Sequence, residues 1–516
     1  MRPKPSASTQ PLRLLYVGLP SFRDSFAESL LRQLMSEAQN LEIAAVTTPA
    51  PSVFESEEAF KGIEFVQKDD LEYIERIESL DKAPDFTLSQ ALVERHLDTE
   101  YTYLSISDRN SIGGGYPVYR RRRAFRRILS FWYGFLTSRS IDRVVLLGYP
   151  HAGWNNVLID VAKALSIKLT LVDFTVINET TLVSELSRAY EPVAPALYAN
   201  LSTDRVRDKI PPALLARAQA PLYGLAYSQK VKDEVQDNTQ GDSFASLLKS
   251  AARRPLRKIR PSFTRLSGAK TRLAVATMAY KARRQVSRQL AAYRARAISQ
   301  PDLSANYIYF PLHLQPERST SPAGGFFDDQ LLAAEILAAS LPEGWELYIK
   351  EHPSQFWHPR AIKQSDFRSE SFYERLAALP NTRLIAFEHD SHQLIEDAAL
   401  IATITGTAGW ETIMRGKPCL AFGEPWYRGC AACFPVDSVE SCRNALTRAE
   451  GMSPKDVERS VLEFLLHYAD RILPVPFLPD RKVAPAAEYL AQTKAITEAV
   501  VRELLASPGE RAQHRA

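Results

Sequence analysis

The chain has 516 residues, 45% of them hydrophobic and 24% charged, which is too long for one ordinary core and points to two domains. Four cysteines are sparse for this length and do not suggest a disulfide framework. The opening MRPKPSASTQP carries no apolar run behind its charges, and the stretch 128–136 falls short of the roughly 20 residues of a membrane span, so a cytoplasmic protein is expected.

The net charge of +4 is unevenly spread. Residues 249–301 hold 15 of the 64 lysines and arginines and no acidic residue, leaving 49 basic against 60 acidic residues elsewhere. A second cluster, YRRRRAFRR, covers 119–127. Such blocks attract polyanions or simply form solvated helix faces. An anionic membrane surface is the partner expected for 249–301, making the protein peripheral on the inner face of the cytoplasmic membrane. No aromatic-interleaved recognition module accompanies the basic blocks, so nucleic acid is not expected.

In chain order, residues 1–10 read as a disordered start. Residues 12–18 (LRLLYVG) form a buried strand, followed by a helix near 24–38 and a second strand at 41–47. Strands are expected again at 142–148 (DRVVLLG) and 167–174 (IKLTLVDF), with a helix at 156–165 between them. Alternating short apolar strands and amphipathic helices indicate a parallel α/β sheet, assigned to a first domain over 11–200. Residues 201–304 are rich in Ala, Arg and Lys and interrupted by prolines, and they read as a basic, mostly helical linker or insertion. A second α/β run covers 305–450, with strands at 307–310, 345–350, 382–386, 400–404 and 418–422. Residues 451–516 read as terminal helices and a tail. The fold class is thus α/β, with two Rossmann-like domains, a basic helical insertion and C-terminal helices. Ligands of such sheets bind at the carboxyl ends of the strands.

The chemistry-bearing residues fall at strand ends. Lys350-Glu351-His352-Pro353 follows the strand WELYIK. A lysine supplies charge there, a neutral imidazole donates from one ring nitrogen, and Pro353 biases His352 towards extended backbone. The stretch TGTAGWE, 405–411, leaves a strand and enters a helix. Gly406 and Gly409 allow close approach, Thr405 and Thr407 add hydroxyls, and the first helical turn offers N–H groups to phosphate. Glu411 is placed to accept hydrogen bonds from sugar hydroxyls or to cap the helix. The loop PLHLQPERSTSPAGG, 311–325, brings His313, Gln315, Glu317 and Arg318 together between buried elements; Glu317 serves as an acid/base or pairs with Arg318. In the first domain His151 also follows a strand, and His151, Asp173 or Glu179 is a candidate general base. Ser111-Ile-Gly-Gly-Gly115 is a weak phosphate-loop candidate because no Lys-Ser/Thr follows it. Cys430-Ala-Ala-Cys433 lacks the second pair a metal site needs, and structural thiols are expected.

With PLHLQPERSTSPAGG, YIKEHP and TGTAGWETIMRGKPCLAFGEPWY assembled, and DRVVLLGYPHAGWNNVLIDVAKALSIK more loosely, the chain resembles the capsule polysaccharide biosynthesis and export family, which includes transferases using CMP-activated Kdo. The resemblance covers about 300–440 well and 140–175 loosely. It implies a GT-B glycosyltransferase that needs no bound metal or other cofactor, with a nucleotide-sugar held by the C-terminal domain and a glycan or glycolipid acceptor mainly by the N-terminal one. In related CMP-sugar transferases a His-Pro motif and a hydroxyl-bearing turn contact the donor phosphate. Here those roles fall on His352-Pro353 and on Thr405 to Thr407, with threonine where related turns carry serine. The nucleotide-sugar contacts expected are therefore Arg318, Lys350, His352, Pro353, Thr405, Gly406, Thr407 and Glu411, with His151 and Glu317 as the catalytic candidates. CDP-glycerol transfer and a non-catalytic role in polysaccharide export are the alternatives.

Overall fold

The structure is a computed structural model that describes residues 11–18, 25–37, 40–78, 80, 86–110, 116–149, 152–194, 197–220, 268–357, 364–477, 479 and 484–506. It divides into two compact units. The first takes the described chain up to the helix Pro212–Gln219, apart from residues 108–110, and everything described from Leu462 onward. The second takes the helix Gly268–Arg294 and the chain that follows it up to Val461.

The first unit is built on a seven-stranded sheet in the order β14-β6-β5-β4-β1-β2-β3. Its strands are β1 (Leu12–Val17), β2 (Leu41–Thr48), β3 (Glu64–Gln67), β4 (Arg143–Leu147), β5 (Lys168–Phe174), β6 (Thr181–Glu185) and β14 (Ile472–Leu473). β1 to β5 are mutually parallel, whereas β6 runs antiparallel to β5 and β14 antiparallel to β6. The continuous apolar runs in β1 and β4 mark strands covered on both faces, and Leu14, Leu15, Val144 and Val145 are fully buried. The expected strands at 12–18, 41–47, 142–148 and 167–174 are all present. β3, β6 and β14 are strands beyond those read from the sequence. The C-terminal segment holds the expected helices and also contributes to this sheet. The helix Ala486–Leu505 lays Ile496, Val500 and Leu504 into the same apolar cluster as Leu30 and Leu31 of the helix Phe26–Glu37.

The second unit has a seven-stranded, wholly parallel sheet in the order β13-β12-β11-β8-β9-β10-β7. The strands are β7 (Ala297–Ile298), β8 (Tyr307–Pro311), β9 (Glu346–Lys350), β10 (Thr382–Ile385), β11 (Leu400–Thr403), β12 (Cys419–Ala421) and β13 (Cys433–Pro435). From β8 the chain moves outward through β9 and β10 on one side, then returns to β11 on the other. The loops after β8 and β11 therefore diverge at the carboxyl edge, making a topological switch point of the kind that receives ligands in open α/β sheets. Two Rossmann-like α/β sheets in one chain make the fold GT-B-like.

The basic stretches behave differently from their sequence appearance. Of residues 249–301, those up to 267 lie outside the described residues. The helix Gly268–Arg294 is part of the second unit, with Ala282, Val286, Leu290 and Tyr293 in its core. This apolar stripe is hidden in the sequence by the arginines around it. Arg288, Arg294 and Arg296 pair with Glu370, Glu388 and Glu374 at 3.3, 2.8 and 2.9 Å. The 119–127 cluster lies in the helix Val118–Ser138. There Arg120 chelates Glu78, Arg122 pairs with Glu100, and Arg121 and Arg127 donate to the carbonyls of Leu104 and Leu80. Four of its six arginines thus serve internal contacts. Among the described residues no helix is long and apolar enough to cross a membrane.

Candidate functional site

Among the sequence-derived site residues, Glu317, Arg318, Lys350, His352, Pro353, Thr405, Gly406, Thr407 and Glu411 follow the carboxyl ends of β8, β9 and β11 in the second unit or stand at the last residue of one. His151 and Ser111 to Gly115 lie outside the described residues. Asp173 and Glu179 lie in the first unit. Asp173 is buried within β5, and Glu179 is ion-paired to Arg217.

The loop after β8 is anchored before it reaches open space. Gln330 accepts from the His313 N–H at 2.7 Å and donates to its carbonyl at 3.0 Å. Gln355 does the same for Gln315, at 2.9 and 3.2 Å. Beneath them Arg368 donates to Glu351 at 2.8 Å, to the His313 carbonyl at 3.1 Å and to the Gln315 side chain. The Arg368 and Glu351 side chains are 1% and 0% exposed. Burial alone would lower the arginine's pKa, and Glu351 with Tyr373 more than offsets it, so the guanidinium stays charged. Tyr373 and the His352 N–H also donate to Glu351, at 2.8 and 2.7 Å. This charge-assisted knot joins the ends of β8 and β9 rigidly.

From that base the loop carries its functional candidates outward. Glu317 is exposed and Arg318 half-buried. The Glu317 carbonyl accepts from the Thr320 and Ser321 N–H groups at 3.2 and 3.0 Å, coiling the loop back on itself. His352 caps the short helix Pro353–Phe356, its Nδ1 accepting from the Ser354 N–H at 3.1 Å. That bond puts the ring proton of a neutral His352 on Nε2, and Pro353 fixes the first helical position.

Lys350 does something other than the ligand contact expected of it. It is 2% exposed, and its ammonium donates to the His389 carbonyl at 2.6 Å and the Ser391 hydroxyl at 2.5 Å. The strand pattern predicts a lysine at the sheet edge; the structure turns it inward to brace the loop after β10. Its charge positions that loop instead of standing open to a ligand.

The turn after β11 is equally committed. Ile404 and Thr405 N–H groups donate to His313 Nε2 at 3.2 and 3.4 Å. The Gly406 N–H donates to Thr403 Oγ1 at 2.9 Å, and that hydroxyl lies 3.1 Å from the same His313 Nε2. Thr405 Oγ1 donates to the Ser319 carbonyl at 2.6 Å, and Tyr427 donates to the Gly406 carbonyl. The N–H groups of 404–406 and the Thr405 hydroxyl proton therefore face the protein. The groups left for a ligand sit one step later. Thr407 and Ala408 are the first residues of the helix Thr407–Met414, so their N–H groups have no intrahelical partner, and Thr407 is exposed. Glu411, one turn on, is half-buried and lies 3.7 Å from both His392 Nδ1 and Arg415 Nη1. Its carboxylate is partly neutralised but remains an acceptor.

His313, Gln355, Glu351 and Arg368 are the site-building residues that the sequence pattern does not assign. His313 was visible as one of several polar residues in its loop. Nothing local marks Arg368, which meets Glu351 across 17 residues. Among the described residues no cluster of His, Cys, Asp and Glu could hold a metal ion. The four cysteines are buried thiols outside any disulfide, and burial pushes the Cys419 thiol well up, as suits packing rather than reactivity.

Residues 232–432 match the model of a protein family described as capsule polysaccharide biosynthesis protein. The resemblance to that family holds. Where described, from residue 268 onward, the match lies within the second unit, and it contains His313, Lys350, His352 and the 403–411 turn. No curated protein sequence matches the chain. Among solved structures, Thermosulfurimonas dismutans KpsC, β-Kdo 2,7 transferase, is similar at 10% identity over 80% of this chain and 98% of that one, with a TM-score of 0.29. The KpsC β-Kdo 2,4 transferase from the same organism is similar at 13% identity over 62% and 79%, TM-score 0.25. The Methanocaldococcus jannaschii UDP-GlcNAc 2-epimerase in complex with UDP-GlcNAc and UDP is similar at 12% identity over 87% and 98%, TM-score 0.24.

Proposed function

We propose that the protein is a glycosyltransferase of surface polysaccharide biosynthesis that takes a Kdo-like sugar from a CMP-activated donor and passes it to a glycan or glycolipid acceptor. The observation that carries this reading is the coincidence of the family match with a braced switch point whose open groups are helix N-terminal N–H donors. Cleaving the bond between the sugar's anomeric carbon and the phosphate oxygen places negative charge on the departing CMP. The Thr407 and Ala408 N–H groups, the Thr407 hydroxyl and the His352 imidazole are hydrogen-bond donors suited to that charge, and they need no reorganisation as it develops. Glu411 accepts from sugar hydroxyls, Arg318 adds a cation at the loop, and Glu317, exposed on the same loop, takes the acceptor's proton.

The test is donor turnover. The full chain incubated separately with CMP-Kdo, UDP-GlcNAc and CDP-glycerol is expected to release CMP from the first. His352→Ala should reduce that release by roughly a hundredfold, the scale on which a preorganised donor to a developing anion acts. Turnover of CDP-glycerol alone would replace the reading with glycerophosphate transfer, and no turnover or binding of any nucleotide would favour a non-catalytic role.

A further inference from the structure

His313 occupies a position that the reaction as described above does not use. Its backbone is clamped on both polar groups by Gln330 and on the carbonyl by Arg368, so the ring has a fixed origin. Nε2 is the acceptor for the Ile404 and Thr405 N–H groups and neighbours the Thr403 hydroxyl. A nitrogen that accepts from backbone N–H groups carries no proton, so the neutral ring holds its proton on Nδ1. Burial, with His352 and Arg368 adding repulsion, pushes the His313 pKa down to about 3, which keeps the ring neutral. No described residue accepts from Nδ1. The ring edge lies against Gly406, where an added Cβ would stand 3.0 Å from Cε1, the carbon bonded to both ring nitrogens. Cε1, bonded to Nδ1, thus lies against the turn that leads into the 407–414 helix, and His313 as a residue retains some exposure.

We propose that His313 is a ligand contact as well as the prop of the turn: Nε2 fixes residues 403–406, while Nδ1–H donates to a phosphoryl oxygen bound at the Thr407 and Ala408 N–H groups. This rests on the nucleotide-binding reading above and adds a residue to it. A neutral imidazole held in one tautomer gives a directed hydrogen bond without the desolvation cost of a buried cation, and it leaves the charge on the phosphate to be met by the helix terminus.

The experiment uses the full chain labelled with 15N and titrated with CMP. The expected result is a His313 ring with protonated Nδ1 and unprotonated Nε2, whose Nδ1–H resonance moves as CMP saturates the protein. His313→Phe, which keeps a ring but neither nitrogen, should weaken CMP binding by at least about tenfold. His313→Gln, whose amide offers both an acceptor and a donor, should restore most of that loss even where the two variants melt at the same temperature. A proton found on Nε2, a Nδ1–H signal unmoved at saturation, or His313→Phe binding CMP like the wild type would overturn the assignment while leaving the nucleotide site standing. A wild type that binds no CMP overturns both, and the two failures are separated by that single control.

Discussion

Gly406 has φ −77° and ψ 158°, a backbone any residue adopts, so its missing side chain serves space rather than conformation. A Cβ there would stand 2.9 Å from Thr403 Oγ1 and 3.0 Å from His313 Cε1, between the two groups that hold the turn. Gly406→Ala should therefore shift His313, lower stability by about 1–3 kcal/mol as overpacking does, and weaken CMP binding by more than that loss explains. Calorimetry of melting and of CMP binding checks both, and an alanine variant that binds normally would show the close approach to be incidental. His313 makes a second prediction. Its folded pKa is lowered from 6.5 to about 3, so as pH falls below 6.5 the unfolded chain takes up a proton that the native ring refuses. This contribution is complete above pH 6.5 and is lost progressively towards pH 3. Thermal midpoints measured from pH 7 down to pH 4 should fall more steeply for the wild type than for His313→Gln; parallel curves would contradict the shift. The sequence made the glycines and hydroxyls at 405–409 legible as a strand-to-helix turn that permits close approach, and Gly406 and Gly409 do pack closely on His313, Thr403 and Tyr427. It could not show that the hydroxyl of Thr405 and the N–H groups of 404–406 face inward, since that depends on His313 and Ser319, some 90 residues earlier.

At the scale of elements, the strands that could be read were those rich in apolar residues, such as LLYV in β1 and YIYF in β8, and these form the middle of both sheets. β3, β6, β7, β13 and β14 escaped, and they lie at or next to the edges of the two sheets. Pairing rather than intrinsic pattern makes them strands. The Arg368–Glu351 knot was equally hidden, because neither residue sits in a motif that names the other. It can be tested directly. Glu351→Gln leaves a guanidinium buried without its counter-charge and should cost about 3–5 kcal/mol in denaturant unfolding, whereas Glu351→Met combined with Arg368→Met should cost less than the single changes summed. Single-variant losses well under 1 kcal/mol would mean that the loops after β8 and β9 are held by their glutamine pairs instead. The 486–505 helix supports a further prediction. A chain ending at residue 474 removes Ile496, Val500 and Leu504 from the cluster they share with Leu30 and Leu31. It should lower the melting of the first unit and leave that of the second; an unchanged first transition would mean the helix is dispensable.

At the scale of the molecule, two Rossmann-like units, one carrying a family match over 232–432, set the terms of the function. The alternation of strands and helices announced both units, while the basic helix 268–294, read as an insertion, turned out to supply core residues to the second. Of the charge that suggested a polyanion surface, Arg288, Arg294 and Arg296 are paired with glutamates of the same unit. The proposed functional centre is the switch point between β8 and β11, with His313, His352 and the start of the 407–414 helix. Its claim to be a nucleotide site is tested most directly by a crystal structure of the full chain with CMP. The account predicts phosphate oxygens within hydrogen-bond reach of the Thr407 and Ala408 N–H groups and of His313 Nδ1. CMP bound elsewhere, or a switch point that stays empty at millimolar CMP, would contradict it.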